Sequence, residues 1–268
     1  HMVASSDPIM LHHKVIHADS VTSDTPWVIL IHGLFGSLDN LGGVARSLKG
    51  DCHCVLVDLP NHGQSKTINN IAFKHIADNL AAMMNHLDIE EAHVIGHSLG
   101  GKAALDFALN YPKRLSSVSA ADIAPVKYPH RHQAVFEGLK NVDLAKTQSR
   151  QHALAQLSEH VKEPGTQQFL LKSLYRENDQ WRWRFRIDEI IQDYPILIDW
   201  PEHKTCFEKP VLFIIGGNSD YVTPEHQPQI RKLFPNASAK IIHGTGHWLH
   251  AEKPAAFNRI VNRHIQQF

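Results

Sequence analysis

The residues of this sequence best suited to covalent chemistry are a serine between glycines and a histidine near the C-terminus. Residues 96–100 read G-H-S-L-G, which matches the pattern G-x-S-x-G around Ser98. When a strand leads into this pattern and a helix follows it, the tight turn exposes the serine hydroxyl, and the glycines avoid the clash that a Cβ would cause. A hydroxyl attacks well only when a base takes its proton. Ser98 is therefore the predicted nucleophile.

His247 is the predicted base, because imidazole accepts protons near neutral pH. It ends the segment G-T-G-H at 244–247, between the last predicted strand and the last predicted helix. His243 and His250 lie four and three residues away, a spacing that can hold a metal ion when a helix carries it. The two glycines of the segment disfavour a helix, and no cysteine or carboxylate completes a ligand set. We therefore predict no metal site, and because no dinucleotide or phosphate-loop fingerprint appears we also predict no cofactor.

Two carboxylates are candidates for the acid that would hold the histidine in the correct tautomer. Asp122 follows the strand after the predicted nucleophile helix. Asp220 follows the penultimate strand, a position typical of proteins with the chain order nucleophile, acid, histidine. Both lie where a strand ends on the side of the site, so spacing alone leaves the choice open.

Backbone N–H groups are predicted to stabilise the negative charge that develops on a carbonyl oxygen under attack. The segment H-G-L-F-G at 32–36 follows a predicted strand and supplies flexible backbone near the nucleophile. Leu34 in this segment is one predicted donor, and Leu99, directly after the nucleophile, is the other.

The elements that must position these residues alternate regularly. Short apolar runs predict buried strands at 27–31, 54–57, 93–95, 115–121, 211–215 and 239–242. Helical spacing of apolar residues predicts helices at 71–87, 102–109 and 254–268. Uniformly apolar strands that alternate with helices indicate an α/β fold with a mostly parallel sheet flanked by helices.

The alternation stops between residues 125 and 205, where helical patterns are separated by prolines. A mainly helical insertion between two strands is a natural candidate for a lid. We therefore predict a core domain formed by residues 10–124 and 206–268, and a helical cap domain formed by residues 125–205.

Composition bears on partners and location. The 27 basic and 27 acidic residues balance, so no excess charge indicates nucleic acid or an anionic membrane surface as a partner. The longest apolar runs reach about six residues, against the roughly 20 that a membrane-spanning helix needs. The three cysteines form no disulfide framework and favour a reducing compartment. We predict a cytoplasmic protein with no nucleic-acid partner and no membrane span, and no motif specifies an oligomeric state.

Six segments, in order along the chain, resemble the bacterial YbfF esterases, which are relatives of the animal abhydrolase-domain-11 proteins. They are H-G-L-F-G-S at 32–37, D-L-P-N-H-G-Q-S at 58–65, G-H-S-L-G-G-K at 96–102, D-I-A-P at 122–125, G-G-N-S at 216–219 and G-H-W at 246–248. The resemblance runs from about residue 11 to the C-terminus. It implies an α/β-hydrolase fold with a helical cap and a serine esterase for short to medium acyl esters, with acyl-CoA thioesters as a second substrate class.

The resemblance also bears on the acid. In that family the acid follows the strand after the nucleophile, which corresponds to Asp122, and members can lack an acid at the site that matches Asp220. This sequence has an aspartate in both places. The resemblance therefore favours Asp122 and keeps Asp220 as the alternative.

Alternating aromatic and basic residues occur within the insertion, in W-R-W-R-F-R at 181–186. With a period of two, Arg182, Arg184 and Arg186 share one face and the aromatic rings share the other. A solvated basic face opposite a packed apolar face is the simpler interpretation. The sharper hypothesis is that the arginines bind the phosphates of a coenzyme A leaving group.

Other classes of function remain open from the sequence. C–C bond hydrolysis and cofactor-free perhydrolysis use the same residues on this fold, and a non-catalytic binding module would also retain it. An intact serine, histidine and acid favours an enzyme, because a binding module needs none of the three. Dehalogenase and epoxide-hydrolase chemistry require an aspartate at position 98, where this chain has serine.

Overall fold

Strands and helices alternate through the first half of the chain. The structure, a computed structural model, describes residues 8–268. Its first elements are β1 (His13–Ile16), β2 (Trp27–Ile31), α1 (Gly42–Leu48), β3 (His53–Val57), α2 (Phe73–His86), β4 (Ala92–His97), α3 (Leu99–Asn110) and β5 (Leu115–Ala121). The strands and helices predicted in this half are present, with bounds that differ by a few residues.

The second half begins with a long segment outside the main sheet. It contains α4 (Gln133–Asn141), α5 (Arg150–Leu157), α6 (Pro164–Leu171), β6 (Leu174–Glu177), β7 (Gln180–Trp183) and α7 (Ile187–Leu197). The chain then continues through β8 (Val211–Gly216), α8 (Gln227–Leu233), β9 (Ala237–Ile242), α9 (Leu249–Glu252) and α10 (Pro254–Gln267). Short 3-10 turns occupy Leu38–Leu41, Pro112–Arg114 and Pro224–His226.

Seven strands form one sheet, in the order β1-β3-β2-β4-β5-β8-β9. All neighbouring pairs are parallel except β1 and β3, which are antiparallel. The predicted α/β class with a mostly parallel sheet flanked by helices is thus confirmed. Because parallel strands end on the same side, the loops after β2, β3, β4, β5, β8 and β9 meet at one edge of the sheet, with β4 at its centre.

The core lies on both faces of this sheet. Ile29 and Ile31 of β2 pack in the cluster that includes residues of α2 and α3. Val28 and Leu30, which alternate with them, pack in the cluster that includes residues of α1 and α10. A strand buried on both faces favours apolar residues on both, which is why β2 reads as an uninterrupted apolar run.

The segment between β5 and β8 differs from its prediction in one respect. Besides four helices it contains the antiparallel pair β6–β7, which had not been predicted as a hairpin. Asn178 and Asp179 form its turn with φ of 51° and 63°, a conformation that asparagine and aspartate tolerate better than most residues. Most residues of the pair are exposed or half-buried. The pair therefore lacks the apolar run from which a buried strand can be predicted.

No helix within residues 8–268 combines the length and the apolarity needed to cross a membrane. Cytoplasmic localisation stays a prediction from the sequence.

Candidate active site

Ser98 lies in a strained turn between β4 and α3. Its φ and ψ are 55° and −120°. This conformation is unfavourable for any residue other than glycine, and it persists only when the surrounding structure enforces it. A Cβ on Gly96 would overlap the carbonyl of Gly100, and a Cβ on Gly100 would overlap the carbonyls of Ile31 and His32. Both glycines are therefore required by close backbone approach, as predicted from the pattern.

The side chains of Ser98, His247 and Asp122 form one hydrogen-bonded chain. The Nε2 atom of His247 lies 2.9 Å from the Oγ atom of Ser98. Its Nδ1 atom lies 2.7 Å from the Oδ2 atom of Asp122. Because an ionised carboxylate only accepts, the Nδ1 atom carries the proton and the Nε2 atom is left to accept the serine proton.

Asp122 is fully buried, and both of its carboxylate oxygens are hydrogen bonded. Its Oδ1 atom accepts from the backbone N–H of Gly216 at 3.1 Å, and its Oδ2 atom accepts from the hydroxyl of Ser219 at 2.5 Å as well as from His247. The backbone of Asp122 has a φ of 52°, an unusual conformation that occurs where the chain leaves β5. A buried carboxylate needs such donors to offset its loss of hydration.

Asp220, the alternative acid, has different surroundings. Its side chain is 81% exposed and pairs with Arg131, and this hydrogen bond lowers the pKa of Asp220. Arg131 lies over the Tyr221 ring, with 3.7 Å from the guanidinium carbon to the ring centroid. Tyr221 in turn stacks on His247 at 3.9 Å. The contacts that link Asp220 to His247 run through Arg131 and Tyr221, and the direct charge interaction between the two is weaker than the pairing of Asp220 with Arg131.

The predicted oxyanion loop passes directly beside the nucleophile. A Cβ built on Gly33 would lie 3.2 Å from the Cβ of Ser98. The backbone N–H groups of Leu34 and Leu99 donate to no other group within residues 8–268, so both are free to bind an oxyanion. Leu99 is the first residue of α3, where helix N–H groups have no partner in the helix and the dipole favours negative charge.

His62 holds the next peptide of the oxyanion loop. Its Nε2 atom accepts from the backbone N–H of Phe35 at 3.0 Å, and its Nδ1 atom donates to the carbonyl of Pro60 at 2.9 Å. Burial lowers the pKa of His62 well below its usual range. The imidazole therefore stays neutral, which it must do to accept from Phe35. The sequence analysis did not identify this role.

A second buried histidine supports the backbone of His247. The Nε2 atom of His97 donates to the carbonyl of His247 at 2.7 Å. Burial, aided by the nearby His250 and His247, lowers the pKa of His97 well below its usual range. His97 is thus a neutral donor that ties the loop after β9 to the end of β4.

A cavity of about 40 Å³ lies beside Ser98, and we call it the Ser98 cavity. Leu34 and Leu99 line it on the oxyanion side. The segment between β5 and β8 contributes Ile123, Tyr128, Arg131, His132, Tyr194, Leu197 and Ile198. More than half of the residues that line the cavity thus come from that segment.

Lys102 of α3, which also lines the Ser98 cavity, was missed by the sequence analysis. Arg131 and Tyr221 were missed as well, because both lie in loops where no periodicity marks them. Lys102 had a signal: it is a cation in a helix that is otherwise apolar apart from Asp106 and the final Asn110.

The three arginines at 182–186 are not part of the Ser98 cavity. Arg182 is exposed and lies near Glu177 across the hairpin. Arg184 lies over the Tyr175 ring at 4.3 Å. Arg186 donates to the carbonyl of Ser65. Arg182 and Arg186 line a separate open cavity of about 640 Å³. Within residues 8–268 no three His, Cys, Asp or Glu side chains are grouped so that they could hold a metal ion.

Comparison with known proteins agrees with this architecture. A family profile described as alpha/beta hydrolase fold matches residues 26–254. Esterase YbfF of Escherichia coli (strain K12) is 39% identical over 239 residues, 89% of this chain and 92% of that protein. The sn-1-specific diacylglycerol lipase ABHD11 of Mus musculus is 32% identical, covering 93% of this chain and 83% of that protein. A marine microorganism esterase of known structure has a TM-score of 0.89 and 31% identity, over 95% of this chain and 98% of that chain.

The chain belongs to the α/β-hydrolase family. Within that family it is a carboxylesterase-type hydrolase, similar to the esterases and the lipase just named. The resemblance to the YbfF esterases is thereby confirmed.

Proposed function

We propose that this protein hydrolyses carboxylic esters of short to medium acyl chains through an acyl-serine intermediate. Ser98 is the nucleophile, His247 the general base and acid, and Asp122 the group that orients and stabilises the imidazole. The backbone N–H groups of Leu34 and Leu99 form the oxyanion hole. The observation that carries the proposal is the unbroken chain from Ser98 through His247 to Asp122, at 2.9 Å and 2.7 Å.

Acylation begins when the Oγ atom of Ser98 attacks the ester carbonyl carbon and its proton passes to the Nε2 atom of His247. The carbonyl oxygen becomes an oxyanion that accepts from Leu34 and Leu99. As the C–O bond to the leaving group breaks, His247 returns the proton to the departing alkoxide. His247 then takes a proton from a water molecule, whose oxygen attacks the acyl carbon. The bond from that carbon to the Oγ atom of Ser98 breaks, His247 returns the proton to Oγ, and the carboxylic acid leaves.

The Ser98 cavity supports an acyl group of limited length. A water-sized group needs roughly 10–15 Å³ of such space, so a cavity of about 40 Å³ accommodates only a few heavy atoms without movement of its walls.

We also propose that residues 125–205 act as the cap domain on a core of residues 10–124 and 206–268. The support for this division is that the segment between β5 and β8 supplies much of the cavity wall.

Labelling with a fluorophosphonate probe tests the nucleophile. The probe phosphonylates an activated serine, so the wild type should be labelled and Ser98→Ala should not. Ser20→Ala removes an exposed hydroxyl far along the chain from the site and should label as the wild type does. Equal labelling of the wild type and Ser98→Ala would contradict the proposal. A folded wild type that is not labelled and does not hydrolyse nitrophenyl esters would favour a non-catalytic binding module. Hydrolysis of C–C bonded substrates in preference to esters would favour the alternative chemistry.

A second substrate class, acyl-CoA thioesters, is supported by the large open cavity lined by Arg182 and Arg186. If these arginines bind the phosphates of the leaving group, Arg182→Ala should raise KM for an acyl-CoA several-fold, with an effect that shrinks at high salt because charge interactions are screened. KM for a nitrophenyl ester of the same acyl chain should stay unchanged. Arg184→Ala is the matched control. The Arg184 guanidinium lies over the Tyr175 ring and does not line this cavity, so KM for both substrates should stay as in the wild type. An equal change in KM for both substrates would refute phosphate binding.

A further inference from the structure

One buried lysine has no part in the proposed reaction. Lys102 lies one helical turn after Ser98 in α3, is 2% exposed, and lines the Ser98 cavity. Its Nζ atom donates to two backbone carbonyls, those of Leu197 at 3.3 Å and Asp199 at 2.6 Å. Within the described chain its hydrogen-bond partners are therefore neutral carbonyls rather than carboxylates.

A buried ammonium group without a carboxylate partner is costly. Burial lowers the pKa of Lys102 to about 7, although the neighbouring Asp199 raises it. The partners that offset this cost are the carbonyls at the C-terminal end of α7, where the helix dipole is negative, and the faces of Phe73 and Tyr128, each 5.5 Å from Nζ.

The contacts of Lys102 hold one wall of the cavity. We use the name α7 wall for Tyr194, Leu197 and Ile198, which line the Ser98 cavity from the C-terminal end of α7. The chain leaves this wall through the carbonyls of residues 197–199, and all three accept hydrogen bonds. Lys102 donates to those of Leu197 and Asp199. The backbone N–H of Tyr128 donates to the carbonyl of Ile198 at 2.8 Å. The helix that begins directly after Ser98 therefore also binds the α7 wall.

We propose that Lys102 determines acyl-chain specificity: it binds the α7 wall to the nucleophile helix, fixes the depth of the Ser98 cavity and limits the acyl length that fits. The proposal rests on the esterase function proposed above and extends it to a residue that takes no part in proton transfer. The side chain acts through the wall it holds, and it is the length and the donors of that side chain that set the depth.

Lys102→Met tests this directly, because methionine is similar in shape to the lysine stem but donates no hydrogen bond. We expect the ratio of kcat/KM for nitrophenyl octanoate to kcat/KM for nitrophenyl acetate to rise on the order of tenfold. The free energy of one hydrogen bond to a charged group corresponds to about this factor in an equilibrium constant. Lys113→Met, which alters an exposed lysine beyond the end of α3, should leave the ratio as in the wild type.

Two results would overturn the proposal. One is a folded Lys102→Met enzyme whose octanoate-to-acetate ratio equals that of the wild type. The other is a ratio that falls below that of the wild type. An equal loss of activity on both esters, which a purely structural lysine would produce, leaves the ratio unchanged and counts as the first result.

A second variant keeps the idea testable if Lys102→Met does not fold. Leu197→Ala shortens the α7 wall itself and should also raise the octanoate-to-acetate ratio. An unchanged ratio in folded Leu197→Ala would show that this wall does not limit the acyl chain, and the proposal would fail. A wild type that cleaves none of the esters would instead contradict the proposed function, so the two failures are distinct.

Discussion

Asp122 and Asp220 show how far the same side chain can differ in its surroundings. Asp122 is 0% exposed and accepts from Gly216, Ser219 and His247. Asp220 is mostly exposed and is bound to Arg131, in water that screens its charge. A carboxylate acts on an imidazolium most strongly at hydrogen-bond distance in a low dielectric. Only Asp122 meets both conditions.

This contrast predicts the outcome of two matched amide substitutions. Asp122→Asn should lower kcat for a nitrophenyl ester by about 10³–10⁴-fold, because the amide cannot stabilise the imidazolium and favours the wrong tautomer. Asp220→Asn, which loses only an exposed ion pair, should change kcat by no more than about threefold. Steady-state kinetics of both variants at pH 7.5 provides the measurement. A collapse of kcat confined to Asp220→Asn would reverse the assignment of the acid.

At the scale of the elements, the turn from β4 into α3 decides where Ser98, the proposed nucleophile, lies. The turn requires backbone contacts closer than any Cβ allows, at Gly96 against Gly100 and at Gly100 against the carbonyls that end β2. These contacts also bring the oxyanion loop after β2 beside Ser98. One steric requirement therefore positions both Ser98 and the loop after β2 that holds the proposed oxyanion donor Leu34.

Gly100→Ala should expose this requirement. The new methyl group would overlap the carbonyls of Ile31 and His32, and overpacking of this kind typically costs 1–3 kcal/mol, or more against rigid backbone. We expect a lower urea midpoint together with loss of fluorophosphonate labelling. Gly50→Ala is the control, because a Cβ there meets no atom within 4 Å, and it should change the free energy of unfolding by less than about 0.5 kcal/mol. A Gly100→Ala protein with wild-type stability and labelling would contradict the steric argument.

At the scale of the whole molecule, the most unusual feature is the number of buried neutral histidines. Burial lowers the pKa of His93 and of His250 to about 4 and that of His132 to about 3. Burial also lowers the pKa of His62 and His97 well below the ordinary value. Several of the 21 histidines are therefore held in the neutral form by the fold.

The histidines predict acid sensitivity with a defined sign. Their folded pKa values lie below the unfolded value of about 6.5, so between the two the unfolded chain binds more protons. Stability should thus be fully present above pH 6.5 and should fall as the pH drops toward 4. A group shifted to about 4, such as His93 or His250, contributes on the order of 3 kcal/mol. Urea unfolding at pH 7, 6 and 5 measures the loss.

A matched pair of variants assigns the effect to burial. His93→Gln removes one titrating buried group, so the slope of unfolding free energy with pH between 6.5 and 5 should decrease by about 1.4 kcal/mol per pH unit. His86→Gln, at an exposed position on α2, should keep the wild-type slope. A wild type whose stability is flat over this range would show that the buried histidines do not titrate on unfolding.

Strands β2 and β8 were predictable because burial on both faces favours apolar residues along the whole strand. β1 and the β6–β7 hairpin were missed for the same reason. Strand β1 is a half-buried edge strand with polar residues, and β6–β7 pairs locally at the surface. Neither needs the uninterrupted apolar run that marks a central strand.

The sequence by itself determined the fold class, the family and the positions of the candidate nucleophile and base, because these depend on local spacing: a strand, a glycine-flanked turn and a helix around Ser98, and a loop after the last strand around His247. Only the tertiary structure distinguishes the surroundings of Asp122 from those of Asp220 and brings Lys102 to the end of α7. Those features depend on which strand ends and helix ends meet across long separations in the chain. Spacing along the sequence does not encode such distances.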